Sequence, residues 1–277
     1  MFDQKHLSRR LVLGGAIATL GVGFLARRAF AQSSAELKTR GKVIIGIQGD
    51  NPPWGYVDAS GVQSGFDADV GTLFGAYLGV PVEFMPLAVV NRIPALTTGR
   101  CDVLFATMAM LPERAKAVQF SKPYVANVIS LVAAKTAAIK ANADMKNFVI
   151  GVPRASSQDG QVTKNAPEGT TIRRFDDDAA TIQALLSGQV DAVGGNMFYV
   201  QRLDEAKPGM FENKLEFGRL YNGACTRLGD KDLNTTVNAF IDQIIANGDL
   251  AKPYRKWMHM EPPPFPTSVE GVPFTVS

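Results

Sequence analysis

The sequence predicts an α/β protein built as two similar lobes with a ligand cleft between them. Three observations carry this. Short apolar runs alternate with amphipathic stretches from Val43 onward, a βαβαβ order that gives a parallel sheet. ALTTGRCDVL (95–104) aligns without gaps to ALLSGQVDAV (184–193), both reading Ala-Leu-x-Thr/Ser-Gly-x-x-Asp-x-aliphatic. Upstream, IIGI (44–47) matches VIGV (149–152), so the two matches fall in the same order, near 90 and 105 residues apart.

Each element has its own local reason. VIIGI (43–47) is a short β-branched apolar run of the kind buried in a parallel sheet. A helix is expected from Asp67, where Val70, Leu73, Phe74, Tyr77 and Leu78 recur at spacings of three and four. A second strand follows at 82–85, a short helix at 91–98 ending before Gly99, and a third strand at 102–106. In the second copy, DDAATIQALLSG (177–188) places Ile182, Leu185 and Leu186 on one helical face. A late helix carries Val237, Phe240, Ile241, Ile244 and Ile245 on one stripe, and Leu250, Tyr254 and Trp257 continue the apolar pattern. The Pro-rich end EPPPFPTSVEGVPFTVS (261–277) reads as an extended strap over the surface or a disordered end.

In such sheets ligands sit beyond the carboxyl ends of the strands. Those ends are Gln48-Gly49-Asp50-Asn51 and Thr107 in the first lobe, with Arg154-Ala155-Ser156-Ser157 and Asn196 in the second. Four loops therefore face one cleft and carry Asn51, Trp54, Thr107, Arg114, Ser156, Ser157 and Asn196.

Residues 1–31 are expected to be a targeting peptide. Lys5, Arg9 and Arg10 precede an apolar stretch (11–26), and Ala29-Phe30-Ala31 offers a cleavage site after Ala31. Ser8-Arg9-Arg10 fits the start of a twin-arginine signal in part, so that route is preferred over the general one. Without the leader, 24 Lys+Arg stand against 25 Asp+Glu, a net charge of −1, so the basic balance belongs to the leader. That leaves no basic footprint for nucleic acid. His259 is the only histidine outside the leader, which removes Ser-His and Cys-His nucleophile pairs and His-rich zinc sites. No cofactor or metal is called for. Cys101 and Cys225 are the only cysteines, and export permits a disulfide between them without establishing one.

The stretch GDNPPWGYVDASGVQSGFDADV…NRIPALTTGRCDVLFATMAMLPERAKAVQFSKPYV (49–125), continued by GVPRASSQD and GQVDAVGGN, resembles the polar amino acid-binding proteins, extracytoplasmic solute receptors of ABC importers. The resemblance implies the type II two-lobe periplasmic binding protein fold, with lobe 1 at 32–125 and 224–260, lobe 2 at 126–223, a tail at 261–277, and hinges in the crossings near 121–126 and 221–224. It implies that Arg114, in the PER motif, forks onto a ligand carboxylate, which is the geometry a guanidinium suits. Pro112 fits the first position of the helix that presents it. Thr107, Ser156 and Ser157 match positions that hydrogen-bond the carboxylate and ammonium ends, and strand-end capping is their ordinary alternative. Asn51 falls where an aromatic commonly meets the ligand side chain. Trp54 matches the aromatic of a PPF/PPW turn and is equally open to a purely structural role.

Two departures stand out. Asn196 occupies the place of the Asp that anchors the α-ammonium, and Ala109 that of a Ser or Thr; Leu111 also replaces a helix-capping Thr. Losing a charged hydrogen bond costs about 1.5–3 kcal/mol, roughly tenfold to hundredfold in affinity. The ammonium end is thus expected to be depleted, with Asp50 the nearest substitute in sequence, or the ligand to be a small carboxylate whose amino group is absent, modified or weakly held. The expected function is a periplasmic, monomeric, non-catalytic binding component that closes around an amino acid or related small carboxylate and delivers it to an inner-membrane permease. The alternative is an exported enzyme on the same fold, similar to cyclohexadienyl dehydratase. That enzyme needs a general acid in the cleft, and Asp50, Glu113 and Asp159 show no evident reason in sequence for a shifted pKa.

Overall fold

Ser33 and Glu36 exchange hydrogen bonds in a capping box that starts α1 (Ser34–Arg40), where the computed structural model, describing residues 32–276, begins. The leader and its cleavage site after Ala31 lie outside the described residues. The first half of the chain then runs β1 (Val43–Gln48), a small hairpin sheet of β2 (Asp50–Asn51), β3 (Gly55–Val57) and β4 (Gln63–Ser64), α2 (Phe66–Leu78), β5 (Val82–Leu87), α3 (Arg92–Thr97), β6 (Val103–Leu104) and α4 (Pro112–Ala115). A long strand, β7 (Val118–Ala134), leads to the second half: β8 (Val149–Pro153), α5 (Ser157–Asn165), β9 (Thr171–Phe175), α6 (Asp178–Leu186), β10 (Ala192–Asn196) and α7 (Tyr199–Ala206). A second long strand, β11 (Phe211–Arg227), returns to α8 (Lys231–Ala246) and α9 (Ala251–Pro253).

The main sheet has eight strands in the order β5-β1-β6-β11-β7-β10-β8-β9. Its two ends are the same motif. β5-β1-β6 pair in parallel at one end and β9-β8-β10 at the other, so each half lays its three strands in the order second, first, third. The repeated IIGI/VIGV segments are β1 and β8, and the second repeat ends in β6 and β10. The sequence repeat is therefore a repeat of topology. β7 and β11, 17 residues each, pair antiparallel and tie the halves together. Their register slips at Asn222/Gly223 and Gly223/Cys225, opposite Pro123 and Val125, inside the two crossings expected to hinge. Bulges at that point bend and twist the ribbon.

An aromatic core of Trp54, Phe66, Phe74, Phe105, Tyr124, Phe240 and Tyr254 fills one face of the first half, with Phe198 of the second half reaching into it. Cys101 and Cys225 sit in the cluster on the other face as unbridged buried thiols. Burial pushes Cys101 up to about 11 and Cys225 higher still, so neither is reactive. The Pro-rich tail folds back on the first half, with Val272 buried in that second cluster, and so is a strap over the described range.

Candidate functional site

Strand ends and helix starts from both halves enclose one small cavity. β1 brings Gln48, the β2 end Asn51, the turn after β6 Thr107, and the first turn of α3 Arg92. From across the cleft come Ser156, Ser157 and Gln158 at the start of α5 and Asp178 at the start of α6, with Asn127 on β7 at the seam. The side chains leave a free volume of about 10 Å³, room for about one water. A larger guest therefore needs the two halves to part.

The first half supplies the cationic wall. Arg92 is 4% exposed; its Nε donates to Val89 O (3.2 Å) and its Nη1 to Ala106 O (2.6 Å) and Thr107 O (3.3 Å). Nη2 has no protein acceptor among the described residues, so this half of the fork is uncommitted. Arg114, 8% exposed, donates from Nη1 to Ala109 O (3.4 Å) and from Nη2 across the cleft to Ala155 O (3.0 Å). Burial, with Arg92 close by, pushes Arg114 down to about 9, which marks a cation short of anions. Two residues flanking these contacts are left-handed without being glycine: Thr107 (φ 48°) and Ala155 (φ 58°). Such conformations cost free energy and persist where surroundings enforce them. For Thr107 the enforcement is visible: buried Asp67 accepts its N–H (2.8 Å) and the Tyr124 hydroxyl (2.7 Å).

The second half supplies a buried carboxylate. Asp178 is 1% exposed, and Oδ1 accepts from Tyr199 Oη (2.5 Å) and Gln158 Nε2 (3.3 Å), while Oδ2 accepts from Gln48 Nε2 (3.2 Å). Burial raises its pKa; the hydrogen bonds and the charges of Arg202 and Arg92 oppose that rise. Asp50 Oδ2 accepts the N–H of Asp178 (2.8 Å) and of Ala179 (3.4 Å), so a first-half carboxylate caps a second-half helix. Burial and the neighbouring Asp178 push Asp50 up to about 6. The expectation that Asp50 had no reason for a shifted pKa is thus corrected: its environment is built by residues 128 positions away.

Of the seven residues read from sequence, Asn51, Thr107, Ser156 and Ser157 line the cavity, and Arg114 crosses the cleft beside it. Ser156 is also the N-cap of α5, accepting from Asp159 N (3.0 Å), so both readings of it hold at once. Asn196 is 1% exposed and does not line the cavity. Its Nδ2 donates to Asn51 Oδ1 (3.1 Å), which also accepts from Arg202 Nη1 (3.1 Å), while Arg202 Nη2 donates to Asp50 O (3.2 Å). Asn196 and Asn51 thus belong to a cross-cleft latch. Trp54 is fully buried, edge-on to Phe66 (6.2 Å) and Phe198 (5.6 Å), and does not reach the cavity.

Arg92, Asp178, Gln48, Gln158 and Asn127 were not singled out from sequence. A signal existed for Arg92: a cation in the first turn of a helix opposes the helix dipole and asks for another reason to be there. Asp178 hides in Asp176-Asp177-Asp178, where the N-cap is Asp177, bonded to Ala180 N (2.7 Å). Only tertiary placement separates the cap from the cavity residue. Asn127 Oδ1 is buried with no hydrogen-bond partner among the described residues, an acceptor on the cavity wall.

Comparison with known proteins agrees with this architecture. The chain is 26% identical over 257 residues to the L-cystine-binding protein of Escherichia coli K12, covering 91% of this chain and 96% of that one. It superposes with a TM-score of 0.77 at 29% identity on the solute receptor for L-cysteine of Neisseria gonorrhoeae, covering 82% and 94% of the two chains. An ancestral amino acid-binding protein described as a precursor of cyclohexadienyl dehydratase gives 0.74 at 29% identity, covering 81% and 98%. The fold is the type II two-lobe one. The family model for bacterial extracellular solute-binding proteins, family 3, matches residues 43–260, and the chain belongs to that family.

Proposed function

We propose that this protein is the periplasmic substrate-binding component of an ABC importer for a small amino acid-type zwitterion. The observation that carries the reading is a single cavity with Arg92 on the wall from one half and Asp178 on the wall from the other. Arg92 Nη2, with Arg114 behind it, offers paired donors for a carboxylate. Asp178 and Asn127 Oδ1 offer acceptors for an ammonium. The depleted ammonium end expected from Asn196 and Ala109 gives way to an anchor moved to Asp178. Both halves touch the guest, which is the condition for ligand-driven closure. The cystine and cysteine named for the two relatives fit this class.

Export with cleavage after Ala31, lobe limits at 125/126 and 223/224, hand-over to an inner-membrane permease and a monomeric state complete the proposal. The protein is read as non-catalytic. The dehydratase alternative gains one observation, the raised pKa values of Asp50 and Asp178, because a general acid needs that shift. Three donors on the oxygens of Asp178 oppose it: they leave the group an acceptor, not an acid aimed at substrate. Thermal shift and calorimetry with L-cystine, L-cysteine, L-glutamine and L-arginine, each beside its decarboxylated amine and its keto acid, test the reading. Only compounds carrying both the α-ammonium and the α-carboxylate should bind, and a ligand at 100 times its Kd should stabilise by about 2.7 kcal/mol. Keto acids binding as tightly as amino acids would restore the weakly held ammonium; turnover of a hydroxy acid would restore the enzyme.

A further inference from the structure

We infer that the C-terminal tail is a positioning element for Arg114, an inference that rests on the reading of Arg114 as part of the carboxylate end. The tail begins where the family match stops, at residue 260. Five prolines between 262 and 273 deny it regular hydrogen bonding of its own. It is nonetheless held at three points. Phe265 meets Tyr221 edge-on at 6.5 Å. Val272, 4% exposed, closes a turn through its N–H to Val269 O (3.0 Å) and packs in the cluster that holds Met108 and Met110. Two buried amides, Gln119 Nε2 and Asn238 Nδ2, donate to Pro273 O (2.8 Å) and Phe274 O (2.7 Å). Those two donors sit on β7 and α8; each also donates within the first half, to Phe120 O (2.9 Å) and Asn234 Oδ1 (3.3 Å), so the tail's carbonyls take the remaining hydrogen of each amide.

The fourth contact gives the tail its role. Gly271 (φ 67°) lies so close to Pro112 that a Cβ there would stand 3.0 Å from both Cβ and Cγ of the proline. Pro112 opens α4, a helix of four residues with no side-chain cap. One turn cannot hold its own direction, so what packs on it sets where it points. On the core side lie Met108 and Met110, with Met110 N–H bonded to Tyr221 O (2.9 Å). On the other side lies the tail. Arg114 is two residues beyond Pro112, so the tail and the core together aim its guanidinium across the cleft at Ala155 O.

The test compares the full chain with Gly271→Val, Val272→Ala and a chain ending at Met260. Amide hydrogen exchange over 108–116 should rise at least tenfold in each variant, while exchange over 149–203 stays at the wild-type rate. In binding, the preference for L-arginine over agmatine and for L-cystine over cystamine, whose amines lack the carboxylate, should fall about tenfold in Gly271→Val. A general loss of stability lowers the folded fraction and leaves that ratio unchanged. Unaltered exchange at 108–116, or exchange rising in parallel throughout the first half, overturns the inference. If the wild type shows no preference for the carboxylate-bearing partner, the reading of Arg114 fails instead, and exchange alone then decides the role of the tail.

Discussion

Asp178 and Asp50 meet across the cleft with two carboxyl groups and few counter-charges, and that sets a pH dependence. The pKa of Asp50 is raised from 3.8 to about 6, so between those values the folded state holds a proton that the unfolded chain has released. Stability from this group is full below about 4 and is lost as pH rises through about 6. Asp50→Asn keeps an acceptor for the α6 N–H groups and removes the titration. Relative to wild type, its unfolding free energy should therefore rise by about 1–2 kcal/mol between pH 4 and 6.5. Urea unfolding at a series of pH values measures this; a difference flat in pH would show that Asp50 does not titrate in that window. An ammonium guest beside the pair should lower both pKa values and favour binding at the upper end of the window. At the same scale, Arg114→Ala should abolish the thermal shift given by any amino acid that the wild type binds, without unfolding the chain; an unchanged shift would remove Arg114 from the site.

At the scale of elements, the start of α2 organises more of the site than any cavity residue does. The turn 51–54 turns its carbonyls onto that helix: Pro53 O accepts from Phe66 N (2.8 Å) and Trp54 O from Asp67 N (2.8 Å). Asp67 is thereby placed to hold Thr107 in its left-handed conformation. Gly65 makes the approach possible, with φ 117° and a hypothetical Cβ only 2.7 Å from Trp54 O. Gly65→Ala should cost about 2–4 kcal/mol by strain and displacement of that turn. Ligand affinity of the molecules that remain folded should fall as well, because Thr107 loses its support. Denaturant midpoints with calorimetry check both, and a neutral Gly65→Ala would mean that the turn can move aside. Trp54 takes its meaning from this element: it is the apolar plug of the turn, as its core contacts show.

For the whole molecule, the cross-cleft bonds decide how readily it opens. Arg202 holds Asn51 Oδ1 and Asp50 O, Asn196 holds Asn51, and Arg114 holds Ala155 O, all directly between the two halves. Hydrogen bonds to a charged group are worth about 1.5–3 kcal/mol, so removing the Arg202 fork should shift the closed–open balance roughly tenfold to hundredfold toward open. Small-angle scattering of Arg202→Ala without ligand should give a larger radius of gyration than wild type. Equal radii would mean that the latch does not govern closure. The irregular pairing of β7 and β11 around Gly223 is where such a motion has room.

The division between sequence and tertiary structure follows from range. The β-branched runs, the 3.6-residue periodicity and the Ala-Leu-x-Thr/Ser-Gly-x-x-Asp repeat are local signals, and they determined two copies of one α/β unit, the strand ends that face the cleft, and four of the cavity residues. PER at 112–114 and the strand end at Thr107 were legible for the same reason, since a motif is a local pattern. What only the packed structure decided is long-range. Arg92 and Asp178 face one cavity because two helix starts 86 residues apart converge. Asn196 bonds Asn51 at a separation of 145, and the tail meets Pro112 from the far end of the chain. Side chains acquire their charge balance and hydrogen-bond partners from neighbours in space, and no local pattern records which neighbours those are.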